Sequence, residues 1–199
     1  MQLAISIELY AYWNALRAGR SAPERNDIEP GAIRGILADT FVLEFDKENG
    51  FPFRIAGSRA NALFLTELRG LSFLLLWREA DRQTVKSVVQ ALANESKPYL
   101  LCAEARPSGL ESLQIETMLL PLRHHGSTHA RVLGSIAVKA PPHWLGLIGA
   151  GPASLISTRP LDSGTPTKAD GTPPGAGRRF AGPKARGRFL FGWRDGQRT

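Results

Sequence analysis

Chemistry in this chain would have to come from four histidines, one cysteine and arginines set among apolar residues. His124 and His125 are adjacent and His129 follows closely, a spacing that suggests zinc. Neighbouring strand residues point to opposite faces, and no cysteine or nearby carboxylate completes a tetrahedral set. The three read as a solvated turn, and no metal is expected. Cys102 sits inside the apolar run YLLCAEA, where a thiol behaves as a small buried hydrophobe. Arg54 interrupts FPFRIA, and Arg69 follows Glu67-Leu68. Each has two readings: an ion pair, for Arg54 with Glu44 or Glu67, or a guanidinium fork aimed at an anionic ligand. Glu44 and Asp46 lie beside a turn as solvated surface. No catalytic residue is assigned, because no nucleophile elbow, P-loop or HExxH pattern is present. Leu147 to Ser154, LIGAGPAS, imitates a dinucleotide-binding turn. It has no long helix after it and no later acidic partner, and Pro160 follows soon, so it reads as an exit from the domain.

The elements that must position these residues begin with a helix. Ile5, Leu9, Tyr12, Trp13 and Leu16 recur at helical spacing and end near Gly19. A polar linker, Ser21 to Asp27, leads to a short helix opened by Pro30 and running through Ile33 and Leu37. FVLEF (41–45) and FPFRIA (51–56) form a hairpin across the turn DKENG. In the second strand, alternation puts Phe51, Phe53 and Ile55 on one face and Arg54 on the other. Helical segments follow from Ser58 and from Asp81 to Glu95, the latter with Val85, Val88, Val89 and Leu92 on one side. Strands over 99–105, 113–122 and 131–138 come next, joined by Pro107-Ser108-Gly109 and His125-Gly126-Ser127. Connections this short require antiparallel pairing. The expected architecture is α+β, a five-stranded antiparallel sheet with helices on one face.

Charge divides the chain unevenly. The net +7 of its 199 residues comes mostly from the end: 1–150 holds 16 Lys/Arg against 15 Asp/Glu, whereas 151–199 holds 9 against 3. A near-neutral body is a poor platform for duplex nucleic acid. The lone cysteine rules out an intramolecular disulfide and suits a reducing compartment. No apolar run reaches the length of about 18–20 residues needed to span a bilayer, and the first residues lack the pattern of a signal peptide. A cytoplasmic protein is expected.

Particular residues in that order carry a resemblance. They are Asp27-Ile28-Glu29-Pro30, Leu43-Glu44, Phe53-Arg54-Ile55-Ala56-Gly57, Glu67-Leu68-Arg69-Gly70, Phe73, Leu76-Trp77, Leu119-Leu120-Pro121-Leu122 and Leu133-Gly134. Over about residues 5–160 the chain resembles PAS domains, in particular the compact bacterial family of single-domain PAS proteins long catalogued as a domain of unknown function. The resemblance implies a PAS-like two-layer domain over 27–145, preceded by an N-terminal helix and linker (1–26) and followed by a Gly/Pro-rich basic tail (146–199) expected to be disordered. It implies a non-catalytic sensory or regulatory module in signal transduction, acting by small-molecule binding or by docking to a regulatory protein partner. Phe53, Arg54, Arg69, Phe73, Trp77 and Tyr99 are the candidate cavity residues. Leu9, Tyr12, Trp13 and Leu16 form the candidate coupling or dimer face, so Trp13→Glu is expected to leave the fold intact and convert a dimer to a monomer. Leu65 departs from the family, which carries glycine there.

No cofactor is expected. Haem needs an axial ligand on a cavity helix, and His124, His125, His129 and His143 all follow the helical block. Flavin photochemistry of the PAS type needs a cysteine between Ser58 and Trp77, where there is none. The tail from Arg178 interleaves Phe180, Phe189, Phe191 and Trp193 with Lys/Arg. It supports an alternative in which the protein binds single-stranded nucleic acid or an anionic membrane surface through that segment.

Overall fold

The computed structural model describes residues 1–107, 109–124 and 127–161. Six strands, β1 (Thr40–Glu44), β2 (Phe53–Ala56), β3 (Tyr99–Ala105), β4 (Leu113–His124), β5 (Ser127–Val138) and β6 (Ser154–Pro160), form one sheet in the order β2-β1-β5-β4-β3-β6. Every pairing is antiparallel. Three α-helices, α1 (Ala4–Arg17), α2 (Ser58–Phe64) and α3 (Glu79–Glu95), pack against it. The segment after Pro30 is not one short helix. Gly31 and Gly35 weaken helix propagation, and the chain makes separate 3₁₀ turns at Pro30–Ile33 and Leu37–Asp39.

The α+β sheet-and-helix architecture stands, with two additions. The sixth strand, β6, pairs with β3 from Tyr99↔Pro160 to Glu104↔Ser154. It falls inside the stretch expected to be an exit and tail, so the sheet continues to Pro160; the rest of the tail, 162–199, lies outside the described residues. The second addition is a third layer. The sheet is covered on both faces, because the chain's apolar side chains alternate along strands that are themselves buried on both sides. Leu101, Ala103, Ile115, Leu119 and Val132 join α2 and α3 in one core. Leu100, Met118, Leu120, Leu122 and Leu133 point the other way and join Leu9 and Trp13 of α1.

That second core explains α1. Leu9 and Trp13 are both 0% exposed, and each such side chain contributes about 1.5–3 kcal/mol on burial. The Trp13 indole N–H donates to the Pro121 carbonyl at 2.8 Å. Leu3, the N-cap of α1, has no side-chain oxygen to offer. Glu116 of β4 takes over: its carboxylate accepts the Gln2 N–H at 2.9 Å and the Leu3 N–H at 3.2 Å. The face expected to pair with a second copy is therefore committed, at Leu9 and Trp13, to this chain's own sheet. Tyr12 and Leu16 are half-buried, and the Tyr12 hydroxyl accepts the Glu29 N–H at 2.7 Å.

A proline inside β4 is unusual, since it cannot donate to a ladder. Pairing with β3 stops at Tyr99↔Leu119, so Pro121 sits where that side of β4 is open. Trp13 takes its carbonyl, and two residues on the Arg123 N–H donates to Pro23 O at 2.9 Å.

Two glycines permit close approaches. A Cβ on Gly134 of β5 would meet the ring of its cross-strand partner Phe41 and the Met118 carbonyl, and one on Gly57 would meet the Ala38 and Leu37 carbonyls. Among the described residues, no helix is long and apolar enough to cross a membrane.

Candidate functional site

Between the sheet and the α2–α3 layer, where a ligand cavity was expected, the chain's own aromatic rings interlock. Phe53 meets Phe41 edge-on at 5.3 Å and Phe73 at 5.9 Å, Phe41 stacks on Phe73 at 5.8 Å, and Phe73 meets Trp77 edge-on at 5.7 Å. All four are buried. Each contact geometry is one that aromatic quadrupoles favour. The Trp77 indole N–H is buried in this cluster without a hydrogen-bond partner among the described residues.

The other candidate cavity residues lie elsewhere. Arg54 is exposed and pairs with Glu44 at 3.3 Å, and Glu44 also holds Arg131 at 2.9 Å. Register explains its position. Val42 faces Ile55 but Leu43 faces Phe53, so Arg54 is the extra residue of a bulge. The bulge breaks the expected alternation: Phe53 enters the aromatic core, whereas Ile55, 52% exposed, turns to the opposite face. Arg69 is exposed on the segment that pairs irregularly with β2 through Phe53, and its N–H donates to Glu67 at 3.2 Å. Tyr99 is half-buried at the start of β3, and burial raises its hydroxyl pKa. Cys102 is a free thiol, half-buried in β3. His143 is exposed, and the side chains of His124, His125 and His129 lie outside the described ones.

A concave site does exist, on the other face. A half-open groove of about 580 Å³ separates the 3₁₀ segment from the sheet. Its floor is Val42, Ile55 and Leu133, its wall is Ile28 and Ile33, and Arg25 and Arg34 line it as well. None of the six candidate cavity residues lines it. The bulge at Arg54 supplies Ile55, and Gly57 lets the Leu37–Asp39 turn lie directly on the strand end, where the Gly57 N–H donates to Thr40 O at 2.8 Å. Thr40 is a groove residue whose hydroxyl is already engaged, donating to Leu37 O at 2.9 Å.

The acids of this segment are mostly committed. Glu24 pairs with Arg123 at 3.3 Å, Asp27 with Arg20 at 2.9 Å, and Asp39 with Arg59 of α2 at 2.8 Å. Asp39 is buried at the foot of the groove; loss of solvent raises its carboxyl pKa, and Arg59 only partly opposes the rise. The groove was not legible as a site, because its residues are scattered from Arg25 to Leu133 with no common spacing.

A family model described as PAS domain matches residues 1–137. No curated protein matches the chain. A solved light-oxygen-voltage domain, studied with a flavin analogue, is similar over 55% of this chain and 83% of its own, at 13% identity and a TM-score of 0.44.

Proposed function

Since this chain belongs to the PAS domain family, we propose that it is a regulatory sensor without catalytic output, and that its small-molecule ligand sits in the groove against β1, β2 and β5. The groove itself carries this reading: about 580 Å³, apolar, with two guanidiniums along it, inside the range of about 300–1,000 Å³ typical of ligand pockets. The aromatic cluster of Phe41, Phe53, Phe73 and Trp77 supports the same location, because a ligand there would have to displace close-packed rings. The signal would pass through the 3₁₀ segment, which holds the groove on one side and α1 on the other through Tyr12 and Glu29. A reducing cytoplasmic setting fits the single free cysteine.

A fluorinated fragment screen against the protein and its Ile55→Trp variant tests this. Ile55 is exposed enough for the larger ring to fill the groove without entering either core. Hits that vanish in Ile55→Trp are expected. Hits that persist there and shift the Trp77 indole resonance would move the site to the aromatic interior and overturn the reading.

A second reading, docking to a regulatory protein, is favoured by one surface. Leu65 is 52% exposed and Leu147 75%. Their segments meet, since the Ala150 N–H donates to Leu63 O at 2.8 Å and Gly149 abuts Leu65. A partner that binds the protein but not Leu147→Lys would support it.

A further inference from the structure

We infer that the groove selects an amphipathic monocarboxylate, with its apolar body along Val42, Ile55 and Leu133 and its carboxylate at Arg25 and Arg34. The inference rests on the groove being the ligand site. Charge complementarity decides the class. Arg25 and Arg34 line the groove, and neither has an ion-pair partner among the described residues. Their neighbouring acids are occupied elsewhere: Glu24 by Arg123, Asp27 by Arg20, Asp39 by Arg59. Glu29 does not line the groove. A cationic ligand would therefore meet two like charges and no carboxylate.

The polar lining is otherwise thin. The Thr40 hydroxyl already donates within the 3₁₀ turn, which leaves Ser58 as the remaining side-chain hydroxyl of the lining. A sugar or nucleoside would lose more hydrogen bonds to water than such a wall returns. An apolar chain loses none and is drawn in by the buried area. One carboxylate is what a guanidinium fork holds well, through paired charge-assisted hydrogen bonds. A free carboxylate is the committed source, because the apolar lining is part of a recess bounded by the 3₁₀ segment and not a flat surface that could lie on a bilayer.

The test is titration of the ¹⁵N-labelled full chain with octanoate, octan-1-ol and octylammonium, all below their aggregation concentrations. Octanoate should give saturable shifts at the amides of Ile33, Val42, Ile55 and Gly57. Octanol should bind at least about tenfold more weakly and octylammonium not at all. Arg34→Gln, at an exposed position, should weaken octanoate about tenfold and leave octanol unchanged, in line with charge-assisted hydrogen bonds. Octanol binding as tightly as octanoate would overturn the carboxylate and leave the groove as the ligand site. No saturable shift with any of the three would overturn both. Groove amides that move with protein concentration alone would mean that a second copy fills the groove, and would also overturn the proposal.

Discussion

The indole N–H of Trp13 and the carbonyl of Pro121 are joined at 2.8 Å across 108 positions of chain. A helix donor thus closes the gap that a proline and the end of the β3 pairing leave in β4. Trp77 offers the opposite case, a buried indole N–H with no partner among the described residues.

The two tryptophans should therefore respond differently to the same change. Trp13→Phe strands the Pro121 carbonyl and shrinks a packed side chain, for a loss of about 2–3 kcal/mol. Trp77→Phe also loses volume but removes an unsatisfied donor, so it should cost at least about 1 kcal/mol less. Urea unfolding of both variants checks the ordering. Trp13→Glu should not yield a folded monomer; it buries an unpaired charge and should unfold the protein or detach α1.

Leu65 ends α2 at φ 51°, in the left-handed region. Glycine is at ease there, leucine is strained, and a β-branched side chain is worse. With Leu65 half-exposed, little packing is at stake. Leu65→Gly should raise stability by about 0.5 kcal/mol, after allowing for the greater freedom of glycine in the unfolded chain, and Leu65→Val should lower it by about 1 kcal/mol. Thermal melts that ranked valine above glycine would contradict this.

Asp39 makes a pH-dependent contribution of definite sign. Its folded carboxyl pKa is raised above the ordinary 3.8, first by burial. In the window above that value the folded state holds the proton more tightly than the unfolded chain. Stability from this group is therefore greatest below 3.8 and lost as pH rises through the folded pKa. Asp46 and Glu104, whose pKa values are lowered by hydrogen bonds from Asn49 and Ser112 respectively, act in the opposite sense. The difference between wild type and Asp39→Asn isolates the effect: the wild type should lose stability relative to the variant as pH rises through this window. A flat difference in urea midpoint across the acid range would refute it.

Gly134 lies beneath the Phe41 ring. Gly134→Ala should cost about 1–3 kcal/mol by overpacking. Part of that should return in Gly134→Ala with Phe41→Leu, giving a coupling above about 0.5 kcal/mol in a double-mutant cycle.

Much of the frame was legible because periodicity reports burial. α1, α3 and the strands from Thr40 to Val138 follow their apolar spacing, and the hairpin follows its turn residues. What escaped depends on partners that spacing does not name. The amphipathic face of α1 looks the same whether it meets a second copy or its own sheet. A signal was present in β4, where Met118, Leu120 and Leu122 are apolar on one face while Ile115 and Leu119 are apolar on the other. Only a sheet covered on both sides needs that pattern. The bulge at Arg54 adds a single residue and leaves no trace in composition, yet it separates Phe53 from Ile55 and so decides which face each one serves. β6 is short and stands among glycines and prolines, so its Ile156 and Thr158 did not register as strand. The Arg25 and Arg34 side of the groove lies in a segment whose composition reads as linker and short helix.

The link between α1 and β4 also bears on how the chain is born. At synthesis rates of about 5–20 residues per second, β4 follows α1 from the ribosome by several seconds or more. During that interval Leu9 and Trp13 have no sheet to cover. The first helix made is among the last to be seated, and nascent chains should depend most on chaperones before β4 and β5 have paired.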